Sequence, residues 1–195
     1  MNDKKEVYIV GGPNGSGKTT FVKRFLPNYV HVRNFINADD IAQGLSPFNY
    51  PSMNIKAGKL MLNLIDEYIS KGLPFGFETT LAGKKWIRLI DDLKSNGYTV
   101  YIFFLDNVSV DLSISRVKYR VEAGGHAIPE DTMRRRYIRC RNNFINIYKD
   151  KADYWFLFDN SRDIPDLVAN CERGLLNIAQ KKYYNWFIDQ ANKGK

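Results

Sequence analysis

Cysteine is nearly missing from this sequence: Cys140 and Cys171 are the only two in 195 residues. So low a count excludes a disulfide scaffold, and without ligand partners at metal-binding spacing it excludes a zinc site, so both are read as free thiols. Long apolar runs are missing too. The longest, Val100 to Leu105, is far short of the roughly 20 residues that a membrane-spanning helix needs. Met1-Asn2-Asp3-Lys4-Lys5-Glu6 carries neither the apolar segment nor the cleavage site of an export signal. There are no repeats, low-complexity tracts or linkers. These absences predict a cytoplasmic protein with no membrane partner, folded as one domain over 1–195. Apolar residues at 44% and charged residues at 26% fit a globular chain rather than a disordered one.

What is present begins with Gly12-Pro13-Asn14-Gly15-Ser16-Gly17-Lys18-Thr19-Thr20, which satisfies G-x-x-x-x-G-K-[ST] without a gap. A tight loop whose N–H groups point inward holds nucleotide phosphates, and glycines permit the backbone angles this needs. Lys18 is then expected at the β- and γ-phosphates and the Thr19 hydroxyl on Mg²⁺, with a helix N-terminus aimed at the charge. The pattern carries meaning only between a buried strand and a helix. Val7 to Val10 supplies the strand, and Thr20 to Leu26 the helix, ended at Pro27.

Further strands are read at Asn34 to Asn37, Leu73 to Phe77, Tyr98 to Leu105 and Tyr154 to Phe158. Helices are read from Ser52 to Lys71, Lys84 to Ser95, Val110 to Glu122 and Pro129 to Tyr148, and 165–192 reads as largely helical. Strand alternating with helix predicts an α/β fold, a P-loop three-layer sandwich around a mostly parallel five-stranded sheet. From Arg116 to Arg141 there are eight Lys or Arg residues against three acids. This stretch is read as a helical lid over the phosphates, although Arg134, Arg135 and Arg136 cannot all face one ligand from one helix. His126, in the Gly124 to Ile128 link, is read as a lid contact rather than a metal ligand.

Acids at strand ends face the ligand crevice of such a sheet. Asp39 is the leading candidate for catalytic base, with Asp40 behind it and helix capping as the alternative for either. Glu78 ends the third strand and is assigned to Mg²⁺ or to the acceptor. It is preferred over Asp106, which follows an apolar strand as a metal-binding acid would, and its own alternative is capping of the next helix.

Together these residues resemble the zeta-toxin-like P-loop kinases, particularly a bacterial branch of predicted ATPases. The resemblance rests on 12–20 and on Asn-Ala-Asp at 37–39, Gly-Leu-Ser-Pro at 44–47, Phe-Glu-Thr-Thr at 77–80, Gly-Gly-His-Ala-Ile-Pro at 124–129, Arg-Arg-Tyr at 135–137 and Asp-Asn-Ser at 159–161. It implies that Asp39 is the general base, that Glu78 and Thr80 bind the acceptor and that Arg120 lies near the phosphates. It also implies phosphorylation of UDP-N-acetylglucosamine on the sugar 3′-hydroxyl. An additional acidic substrate contact of those toxins finds no match in the helix from Ser52, and the residues say nothing of an antitoxin partner. The expected activity is transfer of the γ-phosphoryl group of ATP, with Mg²⁺, to a hydroxyl of a small molecule. A net charge of +8 keeps a nucleic-acid end kinase as an alternative, although no aromatic and basic strand groove is evident. A nucleotide-dependent switch is the non-enzymatic alternative, for which Asp39 and Glu78 would be superfluous.

Overall fold

The first strand, β1 (Glu6–Gly11), is buried along all but its first residue, as an apolar run must be when both faces of a sheet are covered. The chain is described here from a computed structural model covering residues 4–193 except 31, 48, 123 and 126, and excluding the side chains of 50 and 51. His126 therefore lies outside the described residues. After β1 come α1 (Lys18–Arg24), β2 (Phe35–Ile36), α2 (Ala38–Leu45), α3 (Asn54–Lys71), β3 (Phe75–Glu78), α4 (Trp86–Ser95) and β4 (Thr99–Asp106). They are followed by α5 (Val110–Glu122), α6 (Glu130–Asn143), β5 (Tyr154–Asp159), β6 (Asp166–Glu172), β7 (Leu175–Ile178) and α7 (Lys181–Asn192). Short 3₁₀ segments follow α1 and precede α3, and a π-helical turn, Phe144–Tyr148, continues α6.

The sheet runs β2-β3-β1-β4-β5-β6-β7. The first five strands pair in parallel, with Val10 opposite Glu78 and Gly11 opposite Phe104, and the last two are antiparallel. This is the expected P-loop α/β fold with seven strands in place of five. The difference lies wholly within 165–192, where mostly helix was expected. Leu167, Val168 and Ala169 have a spacing that a helix also allows, but β6 instead pairs with β5. A register shift at Leu157/Phe158 lets both Val168 and Ala169 be buried. Arg173 and Gly174, at φ 48° and 87°, then turn the chain into β7. Positive φ at both central residues suits a two-residue hairpin turn, because its twist matches that of the strands.

The two faces of the sheet are covered unequally. Against one face pack Met61 and Ile65 of α3, Trp86, Ile90 and Leu93 of α4, Phe144 after α6, and Phe187 of α7. Against the other lie Phe21 of α1 and Leu26, over Tyr8, Phe103 and Phe158. Each fully buried large side chain contributes about 1.5–3 kcal/mol, so most of the apolar stabilisation sits under the four-helix face.

Candidate active site

The phosphate loop follows β1 directly and opens α1 at Gly17, whose φ of 85° places it in the left-handed region. A side chain has no room on the inner glycines. A Cβ on Gly12 would lie 2.2 Å from the Leu105 carbonyl oxygen, and one on Gly15 2.3 Å from that of Ser113. Inside the loop the Ser16 Oγ is buried without a hydrogen-bond partner among the described residues. A buried hydroxyl without a partner is costly. The tight glycine cradle and the unmatched donor both fit an anion held by the loop.

Lys18 and Thr19 turn from the loop toward the end of β3. The Lys18 Nζ donates to the Pro13 carbonyl at 2.9 Å and lies 3.9 Å from the Glu78 carboxylate. The Thr19 hydroxyl donates to Glu78 Oε2 at 2.9 Å, and the Asn37 amide donates to the same oxygen at 3.0 Å. The Glu78 carboxyl titrates above its ordinary range, chiefly because burial disfavours its charge. Lys18 and the Thr19 hydroxyl oppose this, and Asp39 and Asp40 reinforce it.

Neither capping alternative holds. Asn37 caps α2, its side chain accepting from the Asp39 N–H at 2.8 Å, so the carboxylates of Asp39 and Asp40 are not spent on the helix start. Glu78 cannot cap α4, which begins at Trp86. Thr79 and Thr80 each accept a backbone N–H two residues on, from Leu81 and Ala82. Thr80 is not among the residues lining the cavity described next.

That cavity, of about 590 Å³, is lined by Asn14, Gly15, Gly17, Lys18, Thr19 and Thr20 of the loop and first helix. From the β2–β3 side come Asn37, Asp39, Asp40, Gln43 and Glu78, and from the β4–β5 side Arg116, Arg120, Asn160, Arg162 and Asp163. Arg24 and Phe25 of the α1 segment complete that wall. The site residues expected at Asp39, Glu78, Lys18, Thr19 and Arg120 thus share one cavity. Among the described residues no group of three or more His, Cys, Asp or Glu is placed to hold a metal. Mg²⁺ takes one or two protein oxygens and completes its shell with phosphate and water. Thr19 and Glu78 can provide them.

Asp106 proves to be different in kind. It is fully buried, and the Arg141 guanidinium of α6 grips it with bonds of 2.8 and 2.7 Å while Tyr183 of α7 donates to it at 3.0 Å. Both β3 and β4 flank β1, so strand order alone does not separate Glu78 from Asp106; the ion pair does. Of the three consecutive arginines, Arg134 pairs with Glu130 and Asp111, whereas Arg136 reaches the Asn14 side chain at 3.4 Å. Asn107 and Asn160 donate to loop carbonyls at Gly15 and Ser16; neither was assigned a role from sequence, although Asn160 stands in the Asp-Asn-Ser motif at 159–161, and the signal for Asn107 is its place directly after a strand.

The family model for Zeta toxin matches residues 1–162. The chain belongs to the Zeta toxin family. An uncharacterised protein of Haemophilus influenzae is 34% identical over 137 residues, 70% of this chain and 94% of that one. Among solved structures, this Zeta toxin family protein superposes on the AvrRxo1-ORF1:-ORF2 complex with ATP at a TM-score of 0.79 and 15% identity. The match covers 95% of this chain but only 64% of the other. The PezAT chromosomal toxin–antitoxin system of Streptococcus pneumoniae matches at a TM-score of 0.65 and 16% identity, over 100% of this chain and 88% of that one. At these identities the structures show a shared fold. Family membership and the P-loop kinase fold together support a nucleotide-dependent kinase. Among the described residues no helix is long and apolar enough to cross a membrane.

Proposed function

We propose that the protein is an ATP- and Mg²⁺-dependent kinase that transfers the γ-phosphoryl group to a hydroxyl of a small molecule, with UDP-N-acetylglucosamine the first acceptor to test. The observation that carries this reading is the polarity of the cavity. The phosphate loop lines it, three carboxylates, Asp39, Asp40 and Glu78, enter from the β2–β3 side, and three arginines, Arg116, Arg120 and Arg162, with the one acid Asp163, enter from the β4–β5 side. A site for ATP alone has no use for Asp39 and Asp40 on the wall beside Glu78.

Bound Mg²⁺-ATP supplies the phosphoryl group and the metal charge that balances it. The loop N–H groups and the start of α1 orient the phosphates. Lys18, which donates to the Pro13 carbonyl here, would hold a phosphate oxygen, and Thr19 and Glu78 would hold the Mg²⁺, whose charge would offset that of the phosphates. Asp39 accepts the proton of the acceptor hydroxyl as that oxygen attacks. Arg120 faces the charge that spreads over the transferred group. Little covalent chemistry is asked of the protein; positioning and charge stabilisation supply the rate.

A screen of ATP consumption against hydroxyl-bearing metabolites, nucleotide sugars included, tests this directly. The reading expects one acceptor class to raise ADP release well above the rate with water alone and to emerge phosphorylated. Nucleotide binding with no acceptor-dependent turnover across the screen would leave a switch as the better description.

A further inference from the structure

The inward N–H groups of a phosphate loop force the carbonyls of the same peptides outward, and buried carbonyls need donors. Here two side-chain amides meet them. The Asn107 Nδ2 donates to the Gly15 carbonyl at 3.2 Å, and the Asn160 Nδ2 donates to the Ser16 carbonyl at 2.6 Å. Both asparagines are buried, and they are the first residues beyond β4 and β5.

One side chain ties the two together. The Arg116 Nη1 donates to Asn107 Oδ1 at 3.3 Å and to the Asn160 backbone carbonyl at 2.8 Å, and its Nη2 donates to the Ser161 carbonyl at 2.9 Å. The first of these bonds fixes which end of the Asn107 amide faces the loop. Contact is close as well, since a Cβ on Gly17 would lie 2.4 Å from Asn160 Nδ2. Arg116 lines the cavity yet has its guanidinium committed to three carbonyl oxygens.

We infer that Arg116 is a positioning residue: acting through Asn107 and Asn160, it holds the outward carbonyls of Gly15 and Ser16 and so sets the N–H array that grips the inner phosphates of a nucleotide. This rests on the nucleotide reading above. It separates Arg116 from the Arg120 role, because a loop-positioning group acts on any nucleotide carrying a β-phosphate, whereas a γ-phosphate ligand acts on ATP and not on ADP. It also separates Arg116 from a merely structural residue, whose loss lowers the unfolding temperature but leaves the folded protein's affinity unchanged. Lysine keeps the charge but not the planar fork that reaches three acceptors.

The test is calorimetric titration of Mg²⁺-ADP and Mg²⁺-ATP into the full chain, its Arg116→Lys variant and its Asn160→Ala variant, each at a temperature where circular dichroism shows it folded. Both variants are expected to lose about tenfold in affinity, by the same factor for the two nucleotides, the scale of one or two hydrogen bonds. Arg116→Lys decides the role of Arg116, with Arg116→Gln in its place if it does not fold, and Asn160→Ala measures the amide that Arg116 positions. Wild-type affinity for both nucleotides, or a loss confined to ATP, overturns the inference. Failure of the unsubstituted protein to bind either nucleotide overturns the nucleotide reading itself, and it is visible before any variant is made.

Discussion

Glu78 has a side chain only 12% exposed, holds bonds from Thr19 and Asn37, and lies within ion-pair reach of Lys18. Burial nevertheless dominates and raises its titration above that of an unfolded-chain glutamate, near 4.3. An acid with a raised folded pKa binds its proton more tightly when folded. Its contribution to stability is therefore favourable below the unfolded value and is lost as pH rises through the folded one. Without ligand, Glu78→Gln should raise the unfolding temperature at neutral pH and flatten the fall in stability as pH climbs from about 4.3. Thermal unfolding of both proteins from pH 4 to 8 checks this; a variant less stable than its parent across that window would mean that the Lys18 and Thr19 contacts outweigh burial. The letters of the loop and the acids at 39 and 78, which line one cavity, were legible because a fixed motif marks the first and strand-end position the others. Asn37 stands in the Asn-Ala-Asp motif and caps α2 locally, but its bond to Glu78 was not legible, since that contact spans 41 positions of sequence.

At the scale of elements, the stretch from Arg116 to Arg141, read from sequence as a lid, has fixed roots. Arg116 ties α5 to the loops after β4 and β5, and Arg141 ties α6 to the end of β4. The Arg141 guanidinium also lies 4.1 Å from the Tyr137 ring centroid and 4.9 Å from that of Trp186 in α7, so one cation joins three elements. Between the roots Gly124, at φ 87°, and Gly125 close the end of α5, their N–H groups donating to the Val121 and Arg120 carbonyls at 2.9 and 2.8 Å. Removing one partner of a buried ion pair strands the other charge, so Arg141→Met should cost about 3–5 kcal/mol. Chemical unfolding measures this, and a loss under about 1 kcal/mol, the scale of an exposed pair, would show that α6 is anchored by its apolar face alone. Nearby Cys140 is fully buried, and its thiol is pushed up to about 12, chiefly by burial, which leaves it inert as a nucleophile. Helix against strand was legible where the apolar period was long, as in α3 and β4. It failed in 165–178, because β7 is exposed at all four residues and its conformation is dictated by a neighbouring strand rather than by its own pattern.

For the whole molecule, alternation of strand and helix was enough to give the parallel sheet, because a parallel pair needs a crossover and the crossover here is a helix. The order that puts β1 between β3 and β4 cannot be read from alternation, yet it decides which acids flank the phosphate loop. The segment beyond residue 162, outside the family match, completes this arrangement: Tyr183 bonds Asp106, and Phe187 is buried against Phe104 and Phe144. Between Arg116 and Arg141 eight Lys or Arg residues stand against three acids, an excess of five out of the net +8, a distribution suited to a phosphate-bearing substrate.

The central claim is that this cavity moves a phosphoryl group to a hydroxyl and that Asp39 takes the proton. Asn37 already caps α2, and asparagine is close in shape to aspartate, so Asp39→Asn should fold and bind Mg²⁺-ATP as the parent does. The decisive measurement is transfer of label from γ-labelled ATP to UDP-N-acetylglucosamine, or to the acceptor found by the screen, by parent and variant side by side with ATP titrations of both. The account predicts equal ATP affinity and transfer slowed by about a hundredfold or more, the scale of general-base loss; transfer by the Asp39→Asn variant at the parent's rate would contradict it.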